Sequence, residues 1–274
     1  ISPNFDLKYG LTNEEIEERF KKLIRYSNPI KGKKTIFIWP EGVFSGYSYE
    51  DVSIFKEMIS EKFSKEHFII FGTNTLDSKS GKFYNSMLAV DNNFEIIQSY
   101  NKRKLVPFGE FLPFENILKN FGLKKITEGH GSFLKGNKNK NLQIDNINIL
   151  PLICYEVIFT DLIQKSSKDT NLIVNISEDG WFGKSIGPNQ HFAKSIFRAI
   201  ENDTFFLRST NQGVSAIIDN KGNIIKQLNW NEAGNIEFEV PLINSNKTKN
   251  DLIFFILLIT YLFIFLIYKK KDAK

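Results

Sequence analysis

Pro151-Leu152-Ile153-Cys154-Tyr155-Glu156 closes an apolar run that starts at Ile147. A short apolar run of this kind predicts a buried strand over 147–153. It ends on the only cysteine in the chain, and a glutamate stands two residues further on. A thiol at the end of a buried strand, beside a carboxylate, is a candidate nucleophile. The same thiol reads as a small core hydrophobe, the commoner role of a lone buried cysteine. The choice rests on whether the rest of the chain offers a base and an oxyanion stabiliser.

Working outward, strand and helix patterns alternate. Thr12-Asn13-Glu14-Glu15 has the form of a capping box, and Ile16, Phe20, Leu23 and Ile24 follow at helical spacing. Residues 35–39 form a β-rich run ending at Pro40-Glu41. A second amphipathic helix is expected over 49–63, with Val52, Phe55, Ile59 and Phe63 on one face. Residues 68–71 read as a strand stopping at Gly72. Residues 86–90 and 94–97 read as a hairpin around Asp91-Asn92-Asn93. A polar stretch with Pro and Gly follows over 100–140, too long for a simple connection and therefore a functional loop region. Beyond Cys154 come a short helix over 161–165, a strand over 172–176 and a helix over 188–201 with Phe192, Ile196, Ala199 and Ile200 facing inward. Strands over 204–207, 215–218 and 236–240 complete the pattern, with a turn at 220–223. Alternating strands and helices argue for an α/β layered domain.

The chain has 274 residues, 42% of them apolar and 14% aromatic, enough for one large domain or two small ones. Its formal charge of +5 is spread along the sequence, which speaks against a dedicated nucleic-acid groove. A single cysteine excludes an internal disulfide, and the histidines, His67, His130 and His191, lie far apart without zinc-type spacing, so no metal site is expected. The chain opens on Ile1 and not on methionine, as expected of a processed or truncated piece of a longer protein. Residues 252–268 carry no charge and, at a rise of about 1.5 Å each, reach roughly 26 Å, enough to span a bilayer core. Lys269, Lys270, Lys271 and Lys274 follow and Lys247 and Lys249 precede, a bias that favours a cytoplasmic C-terminus.

Three strand-to-loop junctions end in reactive residue types: Trp39-Pro40-Glu41, the stretch 100–110 with Lys102 and Glu110, and Cys154-Tyr155-Glu156. A glutamate whose proton affinity is raised by burial can serve as a base. A nearby cation favours the thiolate, and an ammonium can stabilise the oxyanion of a tetrahedral intermediate. Taken singly, Glu41 reads as a turn residue and Lys102, within Lys102-Arg103-Lys104, as part of a solvated basic surface. His191 offers the alternative of a Cys/His pair.

Several stretches together resemble the nitrilase, or carbon–nitrogen hydrolase, superfamily, and within it the apolipoprotein N-acyltransferase branch of bacterial inner membranes. They are Trp39-Pro40-Glu41-Gly42, YNKRKLVPFGEFLPFE at 100–115, PLICYE at 151–156, NISEDGWFGKSIGPNQH at 175–191, Arg198-Ala199-Ile200-Glu201 and RSTNQGVS at 208–215. The resemblance implies a four-layer α-β-β-α sandwich over 1–245, then a transmembrane helix and basic tail over 246–274. It implies Glu41 as general base, Lys102 as oxyanion stabiliser and Cys154 as the nucleophile that becomes a thioester. Glu110, Tyr155 and Glu156 are implied as supporting residues, Tyr9 as the functional aromatic where the family has Trp, and His191, within the match to the family's GPxQH, as structural. Trp181-Phe182-Gly183 reads either as core or as part of an acyl-chain wall, the latter making Trp181 and Phe182 substrate-binding. No cofactor is implied. The implied partners are a phospholipid acyl donor, an apolipoprotein amine acceptor and the inner membrane, with the catalytic domain on the periplasmic side. A membrane-tethered amidase or nitrilase acting on small amides is the alternative, and a non-catalytic scaffold of the same fold is a second. The sequence departs from the family at Glu178-Asp179-Gly180, where Asn-Asp-Ala is usual, and at Lys104, where a histidine is common. The family carries several membrane helices ahead of its catalytic domain, whereas this chain opens on that domain.

Overall fold

The computed structural model describes residues 1–115, 131–137, 141–164, 170–242 and 251–272. His130, Lys165, Lys247, Lys249, Lys274, part of the 100–140 loop region and the expected boundary between 245 and 246 lie outside the described residues. The elements run α1 (Asn13–Ser27), β1 (Thr35–Ile38), α2 (Tyr49–Ser53), α3 (Lys56–Ser60), β2 (His67–Asp77), β3 (Lys82–Val90), β4 (Ile96–Asn101), β5 (Leu142–Ile144) and β6 (Ile147–Ile153). A 3-10 turn (Cys154–Ile158) leads to α4 (Thr160–Gln164), β7 (Leu172–Glu178), α5 (Gly187–Asn202), β8 (Phe205–Asn211), β9 (Ser215–Ile218), β10 (Ile224–Leu228) and α6 (Asp251–Asp272).

Alternation of side chains across each strand produces three hydrophobic layers and hence four layers of structure. Helix α1 begins at the capping box, Thr12 accepting from the Glu15 amide while Glu15 accepts from the Thr12 amide. Its apolar face sets Ile16, Phe20 and Leu23 against Phe37, Trp39, Phe71 and Leu88 of the first sheet. Ile70, Met87 and Ala89, on the other face of that sheet, meet Ile149, Ile153, Val174 and Ile176 of the second. The far face of the second sheet packs Leu152, Ile173 and Phe206 against Ala199 of α5. The order is therefore α-β-β-α, as the resemblance implies.

The first sheet runs β1-β2-β3-β4 and the second β10-β9-β8-β7-β6-β5. Strands β1 and β2 are parallel, as are β6, β7 and β8, while β3 and β4 continue the first sheet antiparallel. The carboxyl ends of β1, β4, β6 and β7 open on one edge of the sandwich, where ligands of such α/β sheets bind.

Four local expectations are corrected. The helix expected over 49–63 is two short helices, because Phe55 leaves helical geometry (φ −91°, ψ 11°) and sets its ring 5.6 Å from Phe20. Strand β2 does not stop at Gly72 but runs on to Asp77. The glycine is there for space: a Cβ would stand 2.9 Å from the Glu41 Cα. Residues 236–240 pair in no sheet, although Ile236, Phe238 and Val240 pack on the inter-sheet core with the period of a strand. In α5 the inward face is Pro188, His191, Ser195, Arg198, Ala199 and Asn202, with Phe192 and Ile196 partly buried, and Ile200 is turned outward.

Helix α6 is apolar on all sides, and its window Leu252–Lys269 is long and apolar enough to cross a membrane. None of that window is buried against the rest of the chain. Burial of such a helix by lipid is the ordinary solution for an all-round apolar surface.

Candidate active site

Glu41 is delivered by β1. The Trp39 amide extends the parallel ladder to the Ile70 carbonyl at 2.8 Å, and Pro40, lacking an N–H, ends it. Trp39 is fully buried, its indole donating to Ser27 at 2.9 Å, so the turn that follows is anchored. Glu41 Oε1 accepts from the Asn85 side chain at 2.8 Å, and Oε2 accepts from the Glu178 amide at 3.1 Å.

Lys102 leaves the end of β4 and is buried, contrary to the solvated reading of its basic cluster. Its amide donates to the Asn85 carbonyl and its carbonyl accepts from Gly136, both at 2.8 Å. The ammonium donates to Glu110 Oε1 at 2.8 Å and stands 3.7 Å from Glu41 Oε1. Glu110 is itself fixed: Asn85 donates to its Oε1 and the Val106 amide to its Oε2, each at 2.8 Å.

Cys154 follows β6 with φ 49°, a left-handed conformation that costs a non-glycine residue about 1–2 kcal/mol. Such strain gathers at functional sites. Its carbonyl is caught by His191 Nε2 at 3.2 Å and by the Asn175 amide group at 3.4 Å. His191 therefore addresses the backbone of Cys154. Its Nδ1 lies 2.9 Å from Asp179, which is held in turn by Arg208 at 2.7 Å.

Glu156 anchors the neighbouring loop. It takes hydrogen bonds from the Tyr100 hydroxyl at 3.0 Å, from the amides of Arg103 and Lys104 at 2.6 and 3.1 Å, and from the Ile153 amide at 2.9 Å. One carboxylate thus ties the Lys102 loop to the end of the Cys154 strand. Tyr155 is partly exposed, its ring 5.9 Å from His191.

The charges set the proton positions. Burial, together with the Glu41 carboxylate, raises the Cys154 thiol above its ordinary value, and Lys102 opposes that rise. The thiol is therefore protonated at rest. Burial likewise raises Glu41, with Glu110 adding and Lys102 opposing, so Glu41 has more affinity for a proton than an exposed carboxylate. Burial works to lower Lys102, but Glu110 and Glu41 outweigh it and keep the ammonium charged. A protonated thiol, a carboxylate of raised basicity and a fixed ammonium are what attack on an acyl carbonyl requires.

A cavity of about 110 Å³ opens beside Glu41, lined among others by Tyr9, Asn85, Glu110, Glu178 and Trp181. Tyr9 and Trp181, both expected to touch substrate, share this lining. Phe182 lies outside it, with its ring 5.4 Å from His191. The structure brings together Glu41, Lys102, Cys154 and Glu110, and it adds Asn85, Asn175, Asp179 and Arg208, to which the sequence alone assigns no role. Asn85 lies just ahead of the strand expected over 86–90, and nothing in the sequence names its partner.

A cluster of glutamate, lysine and cysteine at the strand ends of an α-β-β-α sandwich is the design of nitrilase-type enzymes. Residues 7–250 match the Carbon-nitrogen hydrolase family, and the chain belongs to it. It is similar to apolipoprotein N-acyltransferases, being 35% identical to that of Rhodopseudomonas palustris over 76% of this chain and 40% of that one. It is 31% identical to that of Allorhizobium ampelinum over 91% of this chain and 50% of that one. The chain thus spans about half the length of the curated relatives it matches. Among solved structures, Saccharomyces cerevisiae Nit3, of the nitrilase superfamily, superposes with a TM-score of 0.59 at 15% identity, over 84% of this chain and 83% of that one. An amidase from Nesterenkonia sp. gives 0.56 at 14%, over 84% and 82%. These two likenesses establish the fold. The apolar helix α6, long enough to cross a membrane, together with the similarity to apolipoprotein N-acyltransferases, fits a membrane protein.

Proposed function

We propose that this chain is the catalytic part of a membrane-anchored acyltransferase, moving a fatty acyl chain from a phospholipid to the free amine of a lipid-modified N-terminal cysteine on an apolipoprotein. The observation that carries the reading is the cluster of buried Lys102 with half-buried Glu41 and Cys154, on a chain that also bears an apolar helix and is similar to apolipoprotein N-acyltransferases.

In the first half-reaction Glu41 takes the thiol proton as Cys154 attacks the ester carbonyl. The oxyanion develops beside the Lys102 ammonium, which is already charged and held, so little reorganisation is needed. Collapse breaks the ester bond, and the departing lysophospholipid oxygen takes the proton from Glu41. In the second half-reaction the acceptor amine attacks the thioester and yields a proton to Glu41. The amide forms, and the cysteine leaves as a thiolate that regains the proton. Glu110 and Asn85 hold Glu41 and Lys102 in register. Glu156 and Tyr155 support the cysteine turn, and Tyr9 and Trp181 form the substrate wall, with Phe182 packed beside His191 outside the cavity. Helix α6, anchored in the inner membrane with the catalytic domain on its periplasmic side, sets the site at the bilayer surface where both lipid substrates lie.

The test supplies the membrane form with labelled phospholipid and a diacylglyceryl-cysteine peptide, in parallel with small amides. Label on the peptide amine supports the acyltransferase. Amide hydrolysis with no transfer to the peptide supports the tethered amidase instead.

A further inference from the structure

Three carboxylates line the cavity that opens beside Glu41: Glu41 itself, Glu110 and Glu178. Lys102 makes ion-pair contact with the first two. Glu178 has a different setting. It is buried at the end of β7, and its carboxylate is held by neutral donors, the Gly180 amide at 2.8 Å and the Asn211 side chain at 2.5 Å. Its own amide donates to Glu41 Oε2, so the two residues are tied directly. The approach is close enough to require a glycine next to Glu41: Gly42 adopts φ 79°, and a Cβ there would stand 2.6 Å from Glu178 Oε2. The resemblance leads one to expect an uncharged asparagine here, which could accept from one of these donors without placing charge against Glu41.

We propose that Glu178 is a positioning residue for the proton transfer, a carboxylate whose negative charge, once present, strengthens Glu41 as the base that takes the Cys154 proton. The inference rests on the reading of Glu41 as that base.

The charge on Glu178 is set by opposing groups. Burial pushes its carboxyl up to about 8, against the donors Asn211 and Gly180, while the charges of Glu41 and Asp179 add to the rise. Arg19, reaching in from α1, favours the ionised form. Glu178 is thus largely protonated at neutral pH and ionises as pH passes about 8. The new charge raises the proton affinity of Glu41, so thiol activation steepens over the same interval.

Because Cys154 is the only cysteine, its alkylation by iodoacetamide in the full chain reports thiol activation without any assumption about the substrate. For the unsubstituted protein the rate, followed from about pH 6 to about pH 10, shows a severalfold step centred near 8 above the smooth rise expected of a thiol. Glu178→Gln removes the step and keeps the smooth rise. Glu178→Asp restores a step at a displaced midpoint, and Asn211→Ala, by removing a donor to the anion, moves the midpoint upward. A purely structural role predicts a uniform loss of rate with the step intact in Glu178→Gln, and that result overturns the proposal. Should Glu178→Gln show no cooperative melt, the unsubstituted profile decides, since a smooth profile through pH 8 also overturns it. Failure of the acyltransferase reading would show as no acyl-Cys154 at any pH, a separate outcome that leaves the alkylation readout standing.

Discussion

Lys102 makes its short contact with Glu110, at 2.8 Å, and not with Glu41, the proposed base, 3.7 Å away. Glu110 therefore draws the ammonium partly off Glu41 and adds its own negative charge, both of which favour a proton on Glu41. In Glu110→Gln the ammonium is free to pair with Glu41, whose proton affinity falls. The rate of acyl-enzyme formation drops about 10- to 100-fold, and the acid limb of the pH–rate profile moves to lower pH. Pre-steady-state kinetics across pH reads both effects.

Asn85 joins the two carboxylates, donating to Glu41 and to Glu110 at 2.8 Å each. Asn85→Ala leaves two charged acceptors short of a donor, a loss of roughly 1–3 kcal/mol. We expect a fall in kcat of about 10-fold or more, with unchanged membrane association. Asn85→Asp, which adds a further charge, is expected to be the weaker enzyme of the two in the same assay.

The buried pair of Asp179 and Arg208 makes stability acid-sensitive. Burial acts to raise Asp179, but Arg208 and His191 outweigh it and hold its carboxyl down at about 2. A folded value below the unfolded one stabilises the protein above the ordinary carboxylate range near pH 4. That contribution, roughly 2 kcal/mol, is lost as pH falls from about 4 to about 2. Arg208→Met leaves a buried charge unpaired and costs roughly 3–5 kcal/mol. Thermal melts in detergent at pH 7 and pH 3 (about) measure both effects.

The left-handed backbone at Cys154 separates stability from activity. Cys154→Gly removes the steric penalty of φ 49°, which opposes the greater entropy loss of glycine on folding. The variant is expected to melt no lower than the unsubstituted protein while losing acyl transfer entirely. A clear drop in melting temperature would mean that the turn is not strained.

Helix α6 makes a separate prediction. A charge at its middle, as in Ile259→Lys, costs about 2.5–3.5 kcal/mol of insertion. With residues 1–274 expressed by themselves, carbonate extraction then moves protein from the membrane pellet to the supernatant, while alkylation of Cys154 continues.

The parts of this architecture that depend on local pattern are legible in the sequence. Ile147–Ile153 is a strand as its apolar run predicts, the Thr12 capping box opens α1, and Glu41, Lys102 and Cys154 each stand where a strand gives way to a loop. What escaped depends on tertiary proximity. Gly72 reads as a strand end because glycine commonly punctuates, whereas it clears room for Glu41 inside a continuing strand. Residues 236–240 alternate like a strand but have no ladder partner, and periodicity records burial without recording pairing. Asn85 reaches Glu41 across 44 residues of sequence, and Arg208 reaches Asp179 across 29, so neither role leaves a local trace. His191 is a helix residue that contacts the Cys154 carbonyl, a role that spacing alone could not separate from that of a base.

The central claim is that Cys154 carries the acyl group. The direct measurement is peptide mass spectrometry of the membrane form after incubation with phospholipid of known acyl chain, with and without hydroxylamine. The account predicts an added acyl mass on the peptide containing Cys154, removed by hydroxylamine, absent in Cys154→Ala and much reduced in Glu41→Gln. Acyl transfer to an amine acceptor that proceeds undiminished in Cys154→Ala would contradict it.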